Sequence, residues 1–429
     1  MSPPDRTDVV VVGAGAAGIG VGEALSYLDL EYCILERDEV GASFRRWPDE
    51  TRLLTPSFPS NAFGLPDLNA IAPVTSPAIA LDCEHPTGDQ YAEYLSAIAD
   101  HHGLPVETGI GVTGVAVDDG DVTDGEAVAV DGGVATAAPV SDTDPASTRP
   151  GFVVETTEGP IRAAFVVWAG GQFGTPRSDP FPGGRLCVHY ATVDSWADHA
   201  AAGSADEFLI VGGFESGIDA ATHLVDAGCS VTVLDRREPW ATRRPDPSET
   251  LSPYTLGRLD EIRGSDRLTL VGNATVDRVE RDDDGRFEVT ATPTVEVEDG
   301  GNGTGVETNG APRTHDDGTF TVPTRPILAT GFEPNLGPVD DRFRDEEGSI
   351  ELTDRDEAAG TPGLFLAGPS VAHEGQAFCF IYKFRARFPV VAGAIGERLG
   401  VDTDPLETYR DSNLFLEDLS CCEPVDCNC

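Results

Sequence analysis

Lysine is almost absent: Lys383 is the single one in 429 residues. Basic side chains are scarce altogether, with 29 Lys+Arg against 74 Asp+Glu, for a formal net charge of −45. So acidic a chain has no basic patch with which to displace counterions from a polyanion, which argues against nucleic acid and anionic membrane as partners. Long apolar runs are missing too. No stretch of 18 apolar residues occurs, so no membrane-spanning helix is expected. The leader MSPPDRTD lacks a basic n-region, so no signal peptide is expected. No internal C-x-x-C pair exists. Cys33, Cys83, Cys187, Cys229 and Cys379 are scattered, while Cys421, Cys422, Cys427 and Cys429 crowd the end. The scattered thiols form no small-domain disulfide framework, so a reducing cytoplasm is the expected compartment.

What is present is an ordinary core in an unusual coat. Apolar residues make up 40%, which excludes a disordered chain, and the length suggests roughly 2–3 domains. A lysine-poor, acid-rich surface resembles that of proteins from salt-in halophiles. At about 1 M salt the Debye length is roughly 3 Å, so self-repulsion is screened there and returns in dilute buffer. Residues 118–149 and 297–318 are rich in Asp, Gly, Thr and Ala without periodicity, and read as acidic surface insertions at hairpin tips.

The most informative segment is near the N-terminus. Val9 to Val12 is the continuous apolar run of a buried parallel strand. Gly13-Ala14-Gly15-Ala16-Ala17-Gly18 follows, then a helical pattern, then a strand Tyr32 to Leu35 ending at Glu36. In such a unit Gly13 makes the tight turn, Gly15 admits a pyrophosphate and Gly18 lets helix meet strand. Free N–H groups from Gly15, Ala16 and Ala17 face the phosphates. Glu36, 18 residues after Gly18, can accept ribose hydroxyls, with Arg37 beside it. These residues point to dinucleotide binding.

A second unit starts near Glu207. Phe208 to Val211 reads as a strand, followed by Gly212-Gly213-Phe214-Glu215-Ser216-Gly217, a helix, and a strand Ser230 to Leu234. Gly212, Glu215 and Ser216 are the candidate nucleotide contacts here. Phe214 stands at the middle glycine position, where its side chain must turn away from the phosphates or shift them. Arg236 and Arg237 follow Asp235, and a planar guanidinium there suits a 2′-phosphate. NADPH is therefore favoured over NADH. Two dinucleotide units in one chain suit electron transfer from a nicotinamide to a held redox cofactor, for which FAD is the usual choice.

Further motifs resemble the flavin-containing monooxygenases, within the wider two-dinucleotide-domain flavoproteins. Val40 to Trp47, with Ser43 and Arg46, followed by Leu53-Leu54-Thr55-Pro56, is similar to the family's G-G-x-W-R and L-x-T-P segments beside the flavin. Val166 to Arg177, with Gly170, looks like the linker between domains. Ile327 to Phe332 is a second strand end of that kind, and Thr361 to Gly368 resembles the last flavin-contacting strand. Three departures stand out: Phe44 for a family Trp, Cys187 at the position of a fingerprint His with His189 two residues late, and Pro369 where relatives place an acid.

The resemblance implies an α/β fold of two nested Rossmann-type dinucleotide-binding domains with small β insertions. The FAD-binding domain is expected at 1–185 plus 325–405, the NADPH-binding domain at 205–325, and a Cys-rich tail at 410–429. It implies FAD and NADPH as cofactors and monooxygenation of a soft nucleophile or ketone through a C4a-hydroperoxyflavin. Thioredoxin reductase-like and bacillithiol disulfide reductase-like flavoproteins share the scaffold. Reduction of a small disulfide, using Cys421-Cys422, is therefore a second reading, and a non-catalytic nucleotide-bound sensor or scaffold a third. For the tail, metal capture by thiolates or a solvated redox-labile end are further readings; no zinc-module spacing is matched and no metal site is assigned. Lys383 is a candidate for stabilising reduced flavin and His189 for the substrate pocket. The partner expected is a small-molecule substrate or small disulfide; the oligomeric state is left open, a homodimer included.

Overall fold

The computed structural model describes residues 4–59, 66–118, 151–203, 205–244, 246–294 and 318–422. Of the two acidic low-complexity stretches, residues 119–149 and 297–317 lie outside the described residues, as do Cys427, Cys429 and the side chains of Cys421 and Cys422.

Two parallel sheets organise the chain. In the first, β1 (Arg6–Val12), β2 (Tyr32–Glu36) and β3 (Val106–Thr108) are joined by β6 (Gly159–Trp168) on the far side of β1. The N-terminal half of β6 pairs with β5 (Gly151–Thr156), which pairs with β4 (Val112–Asp118), as an antiparallel meander. The C-terminal half of β6 pairs in parallel with β15 (Leu364–Leu366), which returns from the other end of the chain. One strand thus serves both a nucleotide-binding sheet and a β insertion. Its run Phe165 to Trp168 is buried on both faces, as a central parallel strand requires.

The second sheet is wholly parallel, in the order β10 (Leu268–Val271), β9 (Ser230–Leu234), β8 (Glu207–Val211), β14 (Ile327–Leu328), β7 (Val188–His189). A three-stranded antiparallel sheet, β11 (Ala274–Arg281), β12 (Phe287–Pro293) and β13 (Thr319–Val322), covers one face. The arms flanking both insertions pair antiparallel, Asp118 opposite Gly151 and Thr290 opposite Thr319.

Two strand-end segments cross between the units side by side. Pro176 bridges Phe332, the Asn335 N–H donates to Gly171 O at 2.9 Å, and the Glu333 N–H donates to Thr175 O at 2.8 Å. The Trp168 indole N–H donates to Asn335 O at 2.7 Å, and Asn335 Nδ2 to Gly170 O at 3.1 Å. Among the described residues no helix is long and apolar enough to cross a membrane.

Candidate functional site

The two glycine-rich turns are built alike, almost atom for atom. Gly13 has φ +102° and Gly212 φ +103°, a region that favours glycine. A Cβ on Gly13 would meet Ala169 O at 2.6 Å, and one on Gly212 would meet Ala329 O at 2.3 Å. Gly18 and Gly217 stand at the same place in each helix: a Cβ on either would lie 1.8 Å from the carbonyl oxygen of the turn glycine. These four positions are therefore dictated by packing of turn, helix and strand.

The acids repeat as well. Glu36 accepts the Ala14 N–H at 2.8 Å and the Asp38 N–H at 2.9 Å. Asp235 accepts the Gly213 N–H at 2.6 Å and the Arg237 N–H at 2.7 Å. Each carboxylate ties the end of its strand to the glycine turn and keeps lone pairs for a ligand.

The middle positions differ in residue but not in backbone. Gly15 has φ −81° and ψ −168°, and Phe214 has φ −86° and ψ −160°. Negative φ carries no penalty for a side chain. Phe214 packs against the apolar core of the second unit, so it neither strains nor distorts the turn. At Gly15 the nearest atom to an added Cβ would be Ser43 Oγ, 3.9 Å away, which leaves the backbone bare toward the open space beside it.

That space is a cleft of about 500 Å³ at the C-terminal ends of the strands, where open α/β sheets bind ligands. Gly13, Gly15, Ala16, Ala17, Glu36, Arg37, Ser43, Arg46, Thr55 and Gly170 line it on the first unit's side. Glu215 and Ser216 line it too, so the helix start of the second unit opens into the same cleft as the first. Arg37 and Arg46 both pair with Asp38. A bare glycine backbone, free helix N–H groups and a fixed acid at the strand end suit the diphosphate and ribose of a dinucleotide.

Several sequence-based expectations are corrected here. Lys383 does not line the cleft: its Nζ donates to Asp246 Oδ1 and Ser248 Oγ, each at 2.9 Å, and to Ala377 O at 3.2 Å. It ties the C-terminal helices to the 246–248 loop of the second unit. His189 is 5% exposed and has both nitrogens engaged: Nδ1 accepts the Ala191 N–H at 3.1 Å and Nε2 donates to Gly331 O at 3.2 Å. Burial lowers its pKa, opposed by the Gly331 bond, so it serves as a neutral strut between crossing segments. Glu215 turns away from the helix it begins and caps the next one. Its carboxylate accepts Ser252 N–H at 2.5 Å, Ser252 Oγ at 3.2 Å and the Thr255 hydroxyl. Burial raises its pKa, against those bonds. Gly368, at φ +109°, does not line the cleft, a Cβ added to it would lie 3.1 Å from Ala17 Cβ, and Pro369 lines the cleft instead. The expectation for Arg236 and Arg237 is not overturned: they are exposed beyond β9, outside the cleft and free of ion pairs among the described residues.

The cleft also holds residues that motif reading passed over. Thr51, Tyr190 and Asp219 meet where the two units touch. Thr51 Oγ1 lies 2.5 Å from Tyr190 OH and donates to Asp219 Oδ2 at 2.9 Å; Tyr190 OH donates to the same oxygen at 2.7 Å. Arg258 donates to Asp219 Oδ1 at 2.5 Å and to Thr222 Oγ1 at 2.7 Å. Burial would raise the Asp219 carboxyl, but contacts with His223 and Arg258 outweigh it and bring its pKa down to about 2. The one available signal was Asp219 four residues after Glu215, on the same helix face. Nothing in the sequence joins Thr51 or Arg258 to it.

The model of the pyridine nucleotide-disulphide oxidoreductases matches residues 10–140 and 133–299. The chain belongs to that family. Three solved structures share its fold. A bacillithiol disulfide reductase from Staphylococcus aureus is 17% identical, with TM-score 0.62, over 92% of this chain and 99% of that one. A flavin-containing monooxygenase from Stenotrophomonas maltophilia is 18% identical, with TM-score 0.61, over 92% and 100%. An ornithine N-hydroxylase from Kutzneria sp. 744 is 16% identical, with TM-score 0.63, over 92% and 100%. As a member of the pyridine nucleotide-disulphide oxidoreductase family, the protein is a flavin-dependent oxidoreductase that uses a pyridine nucleotide. Its two Rossmann-type sheets are those of the two-dinucleotide-domain flavoproteins.

Proposed function

We propose that the protein oxidises NADPH and uses the electrons for a monooxygenase-type reaction on a small soft nucleophile or ketone. The observation that carries this reading is the single cleft lined by the helix starts of both units. A nicotinamide held by the second unit can then meet a flavin held by the first without a redox relay in the protein. FAD, when bound, accepts hydride and delivers reducing equivalents to oxygen or another acceptor. The chain's own part is to orient both nucleotides and to line the reaction space with apolar side chains, Leu54, Phe380, Ile381 and Phe384. Cys379 is the one thiol lining the cleft among the described residues. Exposed Arg236 and Arg237, next to Asp235, favour a 2′-phosphate and hence NADPH.

Disulfide reduction is the second reading. Cys379 lines the cleft and donates to Ser248 Oγ at 3.2 Å, a position from which a thiol could engage a small disulfide. Of the two departures behind the sensor reading, Phe214 leaves the second turn undistorted, and Pro369 lines the cleft.

The test is anaerobic. Protein in molar KCl is mixed with NADPH, flavin bleaching is followed, and air is then admitted. Bleaching, with NADPH-dependent oxygen transfer to an amine, sulfide or ketone, supports monooxygenation. Bleaching with slow, unproductive reoxidation and NADPH-dependent reduction of a disulfide moves the assignment to a reductase. No bleaching would overturn both.

A further inference from the structure

Hydroxyl hydrogens can be accounted for at the meeting point of the two units. Thr51 and Tyr190 each carry one. Thr51 Oγ1, Tyr190 OH and Asp219 Oδ2 form a closed triangle with sides of 2.5, 2.7 and 2.9 Å. Asp219 faces the Arg258 guanidinium across a 2.5 Å salt bridge, which holds it as a carboxylate with no hydrogen to give. However the two hydrogens are placed, each lies along a side of the triangle, toward Asp219 or toward the other hydroxyl. The three sides already share only two hydrogens, so turning either into the cleft would leave a single hydrogen to hold three short O···O contacts. The far side of Asp219 is anchored by Arg258, which also donates to Thr222 Oγ1.

Both hydroxyl-bearing residues line the cleft, beside the start of the second unit's helix. What they offer a ligand there is lone pairs. A ligand carbonyl or carboxylate oxygen would meet an acceptor with no hydrogen to share; an N–H group would find two acceptors already oriented.

We propose that Thr51 and Tyr190 form an acceptor pair, oriented by Asp219, that recognises an N–H donor on a cleft ligand. Two sources carry that chemistry: the carboxamide of the nicotinamide, or a primary amine on the substrate. The inference rests on the NADPH-using reading. Thr51 and Tyr190 contact the ligand; Asp219 and Arg258 are positioning residues. Because Thr51 belongs to the first unit and Asp219 to the second, the pair exists only while the units are docked as seen here.

Equilibrium binding to the oxidised holoprotein tests this, read from flavin absorbance or by calorimetry. One arm compares NADP+ with its 3-acetylpyridine analogue, which has the ring carbonyl but no N–H. Wild type should bind the analogue about three- to tenfold more weakly, the scale of one neutral hydrogen bond. Thr51→Val and Tyr190→Phe should bring that ratio toward one, and Thr51→Ser, which keeps the hydroxyl, should restore it. A merely structural role would weaken both nucleotides together and leave the ratio alone. The other arm titrates n-butylamine against n-butyl methyl ether with NADP+ present. Amine-selective binding that Thr51→Val abolishes would assign the pair to substrate.

A wild-type ratio near one with no amine selectivity overturns the proposal, as does either selectivity surviving in Thr51→Val and Tyr190→Phe. Failure of any pyridine nucleotide to bind removes the NADPH-using reading and the carboxamide source together, which is distinct from tight binding without discrimination.

Discussion

Replacing Lys383 with Met should loosen the seam between the two units and leave the flavin untouched. The ammonium is 2.9 Å from Asp246 Oδ1, and the two side chains are 17% and 27% exposed. At that distance and an effective dielectric near 20, the attraction is about 6 kcal/mol. Desolvation of two half-buried ions and the ordering of a long side chain offset most of it. With the bonds to Ser248 Oγ and Ala377 O included, a net loss of about 1–3 kcal/mol is expected. A two-unit protein need not unfold in one step, so the pair is best isolated by a double-mutant cycle of Lys383→Met and Asp246→Asn. Chemical denaturation of all four proteins in molar KCl should give a coupling of about 1–2 kcal/mol, since partly buried pairs are screened less than exposed ones. The two-electron flavin potential should stay within about 10 mV. A shift of about 30 mV or more, equivalent to about 1.4 kcal/mol, with no loss of stability would refute the reasoning and place the ammonium at the flavin.

Glu23 is buried on the first helix, with the Tyr409 hydroxyl donating to it, and burial raises its pKa to about 8. A raised folded-state pKa means stability is full below the ordinary value of 4.5 and falls as pH climbs toward 8, by at most about 4–5 kcal/mol. Glu23→Gln should flatten that slope in denaturation curves taken across this window; an unchanged slope would sink the argument. Gly217→Ala should destabilise the second unit by about 1–3 kcal/mol, because its Cβ would fall 1.8 Å from Gly212 O; wild-type melting would contradict this. Arg236→Ala with Arg237→Ala should reduce the NADPH-over-NADH preference in KM ratios, whereas an intact preference would move the 2′-phosphate site elsewhere. The melting temperature should rise steeply from dilute buffer to molar KCl, as expected of a net charge of −45; a flat response would end the halophilic reading.

Much was legible locally because the constraints are local. A continuous Val run, a glycine turn and an acid at a set distance specify a strand–turn–helix–strand unit whatever surrounds it. The structure repeats that unit twice, down to Gly13 and Gly212 sharing one backbone angle. The arms flanking the Asp-rich stretches do pair as hairpins, since turn composition and flanking β patterns are also short-range.

Single-residue roles were less legible. Lys383 and His189 are chemically versatile, and their neighbours in sequence do not reveal their partners in space. Lys383 bonds a loop about 135 residues away, and His189 a carbonyl 142 residues away. Phe214 looked like damage to a motif, yet glycine is required only where φ is positive or a neighbour is too close, and neither holds there.

By itself, then, the sequence determined the two dinucleotide units, their order and the acidic coat, because hydrophobic period, turn chemistry and charge act over a few residues. Only the tertiary structure decided that both helix starts share one cleft, that Glu215 caps a neighbouring helix, and that Thr51, Tyr190 and Asp219 close a hydrogen-bond triangle. Those outcomes depend on groups brought together across as many as 168 positions, a juxtaposition set by how two sheets pack.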